Sequence, residues 1–248
     1  MSQDEFDRIV HEARALQEHI PWLELVVVGG TAASLHAAHR YSLDADEVSM
    51  NLSDNYEVAL GEVLRWEGWQ TNRTSRPYVI LGERHGVRLG IRQQIRPIAL
   101  DTEDRDGLII PTAEETLRIK AFLAFKRRAV RDYLDVAALA DLLGPERTAE
   151  AISWLNVLYE GEGNQTAATK FAEAVAADPQ DLGKVDLRTY RGIRAPYNDW
   201  AYVADRCREI GEALFLREME KELPTDVQEF IDRQNRRGTS RGTPGGSR

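Results

Sequence analysis

A β-branched run stops at paired glycines in Val26-Val27-Val28-Gly29-Gly30-Thr31, and after a short helix-compatible stretch the chain reads His39-Arg40-Tyr41-Ser42-Leu43-Asp44-Ala45-Asp46. Such a run cut off by glycines is the pattern of a covered strand, which predicts a strand over 24–28. The Gly-Gly turn lets backbone N–H groups approach an anion closely, and Thr31 is placed to cap a helix reaching about residue 38. Gly29, Gly30 and Thr31 are therefore candidates for a phosphate cradle. Residues 44–50 predict another strand. Residues two apart on a strand share a face, so Asp44 and Asp46 point together.

Two carboxylates beside a phosphate cradle suit Mg²⁺, which takes one or two protein oxygens and completes its shell with substrate phosphates and water. Such a metal neutralises charge in an in-line displacement. Ser42 shares the Asp44 face and can hydrogen-bond a phosphate oxygen. A Gly-Gly turn alone is commonly just a turn, and Asp-x-Asp alone is commonly a solvated edge; the ordered combination is what carries information.

That combination resembles the nucleotidyltransferase superfamily with a DNA polymerase β-type core, whose pattern is a Gly-Gly or Gly-Ser turn followed by Asp-x-Asp. More narrowly, Gly29-Gly30-Thr31-Ala32-Ala33 with the 39–46 block is similar to the AbiEii/AbiGii toxin family, which includes the MenT-type toxins. A second block, Leu117-Arg118-Ile119-Lys120, then Lys126-Arg127-Arg128 and Arg131-Asp132-Tyr133-Leu134-Asp135-Val136, resembles the downstream helical motif of that family, a lysine followed by Arg-Asp-x-x-Asp. The resemblance spans about residues 23–143. It implies an α+β protein, a nucleotidyltransferase-type mixed α/β core followed by a helical C-terminal domain, here divided as 1–111 and 112–235 with a tail over 236–248.

The resemblance also implies an activity: Mg²⁺-dependent transfer of a nucleoside monophosphate from an NTP to a hydroxyl, with pyrophosphate released. It suggests the toxin of a bacterial toxin–antitoxin or phage-defence pair, an RNA acceptor such as a tRNA 3′ end, and a separately encoded antitoxin as partner. In that scheme Asp44 and Asp46 hold the metal, Gly29, Gly30, Thr31 and Ser42 cradle phosphate, and Lys120 neutralises the triphosphate. Asp132 or Asp135 either orients a Lys or Arg or acts as a base on the incoming hydroxyl. Read from chemistry alone, the same block is a charged helix held by ion pairs, entered through a capping box at Thr112 and Glu115.

One position departs from the superfamily pattern. Where a third carboxylate is expected on a later core strand, Val87-Arg88-Leu89-Gly90-Ile91-Arg92 offers Gly90. Glu83, Asp101 or the Asp132/Asp135 pair are candidates to replace it. Two other functions stay open on this sequence: a small-molecule, antibiotic-type nucleotidyltransferase on the same core, and a nucleotide-binding module without catalysis.

Composition sets the remaining bounds. The 248 residues are 42% hydrophobic and 29% charged, enough for a sizeable core. The lone Cys207 excludes an internal disulfide framework, and neither a leader-like apolar stretch nor a membrane-length run occurs, which together predict a cytoplasmic protein. A net charge of −9 argues against a generic nucleic-acid coat. Two basic clusters nevertheless qualify as RNA contacts: Arg84, Arg88, Arg92 and Arg96 at four-residue spacing, and Lys126, Arg127, Arg128 and Arg131 with Lys120. Their alternative is a solvated face. Strands are predicted over 69–73, 78–83, 87–92 and 108–110, and helices over 2–18, 56–67, 112–126, 130–142, 145–159, 166–177 and 201–223. Thr225-Asp226 is placed to cap a short last helix.

Overall fold

The structure, a computed structural model, describes residues 2–222; the cap expected at Thr225-Asp226 and the tail over 236–248 lie outside the described residues. Ser2 opens α1 (Gln3–His19) through a reciprocal capping box with Glu5. β1 (Val26–Val28), α2 (Gly29–Ala37), β2 (Asp44–Ser49) and α3 (Tyr56–Arg65) follow, then the strands β3 (Trp69–Ser75), β4 (Val79–Arg84) and β5 (Val87–Gln93). They form one sheet in the order β1-β2-β5-β4-β3. β2 and β5 run parallel, and the other pairings are antiparallel.

The two-residue periodicity of the strands assigns the faces. Ala45 of β2, Leu89 and Ile91 of β5 and Ile80 of β4 are fully or almost fully buried, and they pack with Leu16 and Ile20 at α1 and Ala59 and Val63 of α3. Burying each large aliphatic side chain there contributes about 1.5–3 kcal/mol. The opposite face presents Asp44 and Asp46, in register with Arg88 and Gly90 of β5. A hairpin of β6 (Thr102–Arg105) and β7 (Leu108–Pro111) forms a second sheet. The sequence reading missed β6, because Thr102-Glu103-Asp104-Arg105 has no apolar side chain and its pairing comes only from β7.

The remainder is helical: α4 (Ala113–Arg127), α5 (Val130–Ser153), α6 (Leu155–Leu158), α7 (Ala167–Val175) and α8 (Trp200–Glu222). Thr112 caps α4 by accepting from the Glu115 N–H. The expected capping box stays half-made, because the Glu115 carboxylate pairs with Arg96 and Arg118 instead. α5 breaks at Gly144 before Pro145, which is why the sequence reads as two helices. Two apolar clusters result, one around the main sheet and one among α4, α5, α7 and α8. α2 feeds both: Ala32 packs in the first and Ala33 in the second. The Gly-Gly turn at its start is thereby gripped by both halves.

Among the described residues, no helix is long and apolar enough to cross a membrane.

Candidate active site

α2 begins directly at Gly29, whose φ of +72° suits glycine, and its cap residue Val28 gives no side-chain hydrogen bond to the first turn. The N–H groups there are available to an anion. Behind the turn the packing is close. A Cβ on Gly30 would stand 2.8 Å from Ser42 Oγ and 3.1 Å from an Arg40 terminal nitrogen.

Thr31 does not cap this helix. It lies inside the first turn, fully buried, and its hydroxyl donates to the Asp44 carbonyl at 2.7 Å. Ser42, also buried, donates to the same carbonyl at 3.0 Å. The expectation that these hydroxyls bind phosphate directly is corrected accordingly: both are spent on fixing the start of β2 against α2. Gly29, in contrast, faces a cleft.

Asp44 and Asp46 are partly exposed on the open sheet face. The Asp46 carboxylate leans across Gly90 and accepts from Arg92 Nε at 3.0 Å. Gly90 is buried, and a Cβ on it would meet Asp46 Oδ1 at 2.3 Å, so the space for a side chain there is taken. None of the proposed substitutes supplies a third carboxylate. Glu83 lies one strand further out, with Arg88 in register between it and Asp44. Asp101 pairs with Arg118, and Asp132 and Asp135 are wholly buried. Among the described residues no group of three His, Cys, Asp or Glu converges on one point. Two hard, half-exposed carboxylates on one strand face fit a single Mg²⁺ completed by substrate oxygens, and do not fit a metal pair held by protein alone.

The second motif block forms a buried charge network behind the turn. Asp135 accepts from Arg40 Nε and Nη2, both at 2.8 Å, from His39 Nε2 at 2.7 Å, and pairs with Lys120 Nζ at 2.6 Å. Lys120 also reaches Asp132 at 3.2 Å. Burial pushes the Asp135 carboxyl upward, but the Arg40 and Lys120 charges outweigh it and hold the group far below the usual carboxylate range. Burial lowers the His39 pKa, more than its bond to Asp135 raises it, and its Nδ1 has no hydrogen-bond partner. Lys120 was expected to face the cleft and meet the triphosphate. It is 2% exposed and committed to the two aspartates, so this expectation is also corrected. Of the two roles read for Asp132 and Asp135, the geometry fits orientation of Lys120 and Arg40; a base on an incoming hydroxyl needs a free oxygen at a surface, which buried Asp135 lacks.

The basic clusters separate. Arg84 lies at the far end of β4, bound to Glu12 at 2.6 Å and stacked over Trp66 at 4.1 Å, away from the turn. Lys126 pairs with Glu162 at 2.5 Å, and Arg128 closes α4 and donates to the Asp178 carbonyl. Arg96 is buried against Glu115. Arg84, Arg96 and Arg128 are structural anchors, and the RNA-contact expectation is withdrawn for Arg84 and Arg128; Lys126 is exposed, and its surface ion pair leaves it within reach of an anion. Arg88, Arg127 and Arg131 are exposed. Gly29, Asp46, Arg92 and Arg127 line one cleft of about 160 Å³, walled on its apolar side by Ile119, Phe122 and Tyr159.

Sequence reading did not single out Tyr159 or Arg191. Tyr159 stacks on Phe122 with centroids 4.3 Å apart. The Arg191 guanidinium, lowered by burial, lies within electrostatic reach of Asp44. Tyr159 closes the predicted helix over 145–159 and Arg191 lies outside any predicted element; neither position carries a motif, and tertiary packing brings both in.

The fold is that of the nucleotidyltransferases. The chain superposes on the crystal structure of JHP933 from Helicobacter pylori with a TM-score of 0.54 at 15% identity, covering 94% of this chain and 99% of that one. A candidate nucleotidyltransferase from H. pylori gives 0.54 at 17% identity, over 90% of this chain and all of the other. By sequence, the heme uptake protein MmpL11 of Mycobacterium tuberculosis is 35% identical over 120 residues, which is 47% of this chain and 12% of that protein. The mycolic acid-containing lipids exporter MmpL11 of Mycolicibacterium smegmatis is 33% identical over 119 residues, again 12% of its length. The match thus spans about an eighth of these relatives. No family model matches the chain.

Proposed function

We propose that this chain is a Mg²⁺-dependent nucleotidyltransferase that moves a nucleoside monophosphate from an NTP to a hydroxyl of an RNA acceptor, such as a tRNA 3′ end. The observation that carries the reading is the convergence of Gly29 and Asp46 on one cleft, with Asp44 on the same strand face as Asp46. N–H groups at the start of α2 receive phosphate oxygens, and Arg127 adds positive charge from the end of α4. Asp44 and Asp46 would hold Mg²⁺, which when bound neutralises charge on the reacting phosphate. The acceptor oxygen bonds to the α-phosphorus as the bond to the β-phosphate oxygen breaks; pyrophosphate leaves, and the hydroxyl proton passes to solvent. Asp135 acts at one remove, fixing Arg40 and Lys120 behind the turn.

The similarity of both motif blocks to AbiEii/AbiGii toxins supports a role as the toxin of a bacterial toxin–antitoxin or phage-defence pair, neutralised by a separately encoded antitoxin. Exposed Arg88 and Arg127 support an anionic macromolecular acceptor. Induced expression tests this role: the chain arrests growth, the Asp44→Ala variant does not, and equal toxicity of the two refutes it. A second reading, a nucleotide-binding module without catalysis, is favoured by Gly90 and by the Asp46–Arg92 pair. It predicts Mg²⁺–NTP binding with no pyrophosphate released for any acceptor.

A further inference from the structure

We infer that Arg92 is the resident counter-ion of Asp46, competing with a divalent cation for that carboxylate and passing to the nucleotide phosphates once the cation is bound. The inference rests on the nucleotide-site reading above and concerns how that site is regulated. Its geometry is specific. Arg92 Nε lies 3.0 Å from Asp46 Oδ1, the carboxylate that would meet a metal, and the pair bridges two adjacent parallel strands across Gly90. A side chain at position 90 would collide with Asp46 Oδ1. Glycine there lets the carboxylate lean toward Arg92.

The cation of the pair is also placed to move. Both side chains are about two-fifths exposed, at 40% and 39%, and both residues line the cleft that contains Gly29. The Arg92 guanidinium makes no other hydrogen bond among the described residues, so its leaving Asp46 breaks no further polar contact. A half-exposed pair is weak enough for a divalent ion to replace. Once free, the guanidinium faces the space a triphosphate occupies in this reading, where its planar fork suits phosphate oxygens. Arg127, exposed and without an ion pair among the described residues, lines the same cleft. The site thus carries its own cation while empty of substrate, at the position where Gly90 removes a carboxylate.

Mn²⁺ binding, read by electron paramagnetic resonance on the purified chain, separates the possibilities. Arg92→Ala is expected to bind Mn²⁺ alone roughly three- to fivefold more tightly than wild type, the scale of one half-exposed pair. Arg92→Lys, which keeps a cation, should stay near wild type. With Mg²⁺ present, binding of whichever of ATP, GTP, CTP or UTP the wild type takes should weaken in Arg92→Ala by about tenfold, one lost charge-assisted phosphate contact. Mn²⁺ affinity that is unchanged or lower in Arg92→Ala overturns the inference while leaving the site reading intact. A wild-type chain that binds Mn²⁺ neither alone nor with any of the four nucleotides overturns both.

Discussion

Removing the Asp135 carboxylate tests whether the second motif block is a structural clamp or a catalytic group. Asp135 is fully buried and engages Arg40 through two bonds of 2.8 Å and Lys120 through one of 2.6 Å. Asp135→Ala leaves the Arg40 guanidinium buried without its partner and Lys120 with Asp132 alone. Deleting one partner of a buried ion pair costs about 3–5 kcal/mol, a large share of the roughly 5–15 kcal/mol that holds a domain together. Urea unfolding followed by circular dichroism should show that loss, while Asp44→Ala, at a partly exposed strand position, stays within about 1 kcal/mol of wild type. The pH dependence has a defined sign. The folded-state pKa of Asp135 is depressed, so its contribution is fully present above the unfolded carboxyl value of about 3.9 and is lost as pH falls toward the folded value. His39 is depressed too, so its contribution is full above about pH 6.5 and erodes below it. An Asp135→Ala variant within 1 kcal/mol of wild type at neutral pH would refute the clamp.

Other outcomes follow from the same geometry. Glu47 is fully buried under α1 with neither oxygen hydrogen-bonded, and Gln17, whose amide is spent on the Ile109 backbone, offers it little relief. Burial therefore raises its pKa well above the ordinary value. Its contribution is full below the unfolded value of about 4.3 and is lost as pH rises, so Glu47→Gln should gain on wild type by up to about 1.4 kcal/mol per pH unit above that, with no gain at pH 4; equal melting curves at pH 4 and 8 would count against it. Gly90→Ala forces Asp46 aside, and a displacement of about 1 Å at a reacting centre is worth on the order of a hundredfold in kcat/KM; a variant with wild-type kinetics would remove Asp46 from the chemistry. Arg84→Ala strips buried Glu12 of an ion partner and should lower stability by about 1–3 kcal/mol without changing nucleotide or RNA affinity, whereas Arg127→Ala should leave stability unchanged and weaken nucleotide binding, as differential scanning fluorimetry and filter binding can show.

Much of the sheet was legible because its strands advertise themselves: Val26-Val27-Val28 and the alternation in Val87 to Ile91 can only be satisfied by a covered sheet. β6 was silent for the opposite reason, its polar residues being held by a partner strand and not by a core. In the site, the spacing of Asp44 and Asp46 was readable from strand periodicity, and the gap at Gly90 from the resemblance to the nucleotidyltransferase pattern. The fate of Lys120, Asp132 and Asp135 was not. The face shared by Asp132 and Asp135 is visible from their i to i+3 spacing, yet whether that face meets a cleft or an interior depends on Lys120 from another helix and on Arg40, 95 residues from Asp135. Thr31 and Ser42 carried the same ambiguity, since a hydroxyl after a glycine turn serves an anion or the protein's own backbone equally well until the position of Asp44 is known. Arg84 illustrates the limit of charge patterning: its four-residue spacing from Arg88 and Arg92 is real, but the strand turn at His85 and Gly86 puts it on another strand.

The most direct test of the account is transfer itself. Purified chain, total tRNA, Mg²⁺ and each α-labelled NTP in turn should yield labelled RNA with at least one nucleotide, together with pyrophosphate, and the Asp44→Ala variant should yield neither. Labelled RNA at equal levels from wild type and Asp44→Ala, or no label and no pyrophosphate from the wild type with any of the four nucleotides, would contradict it.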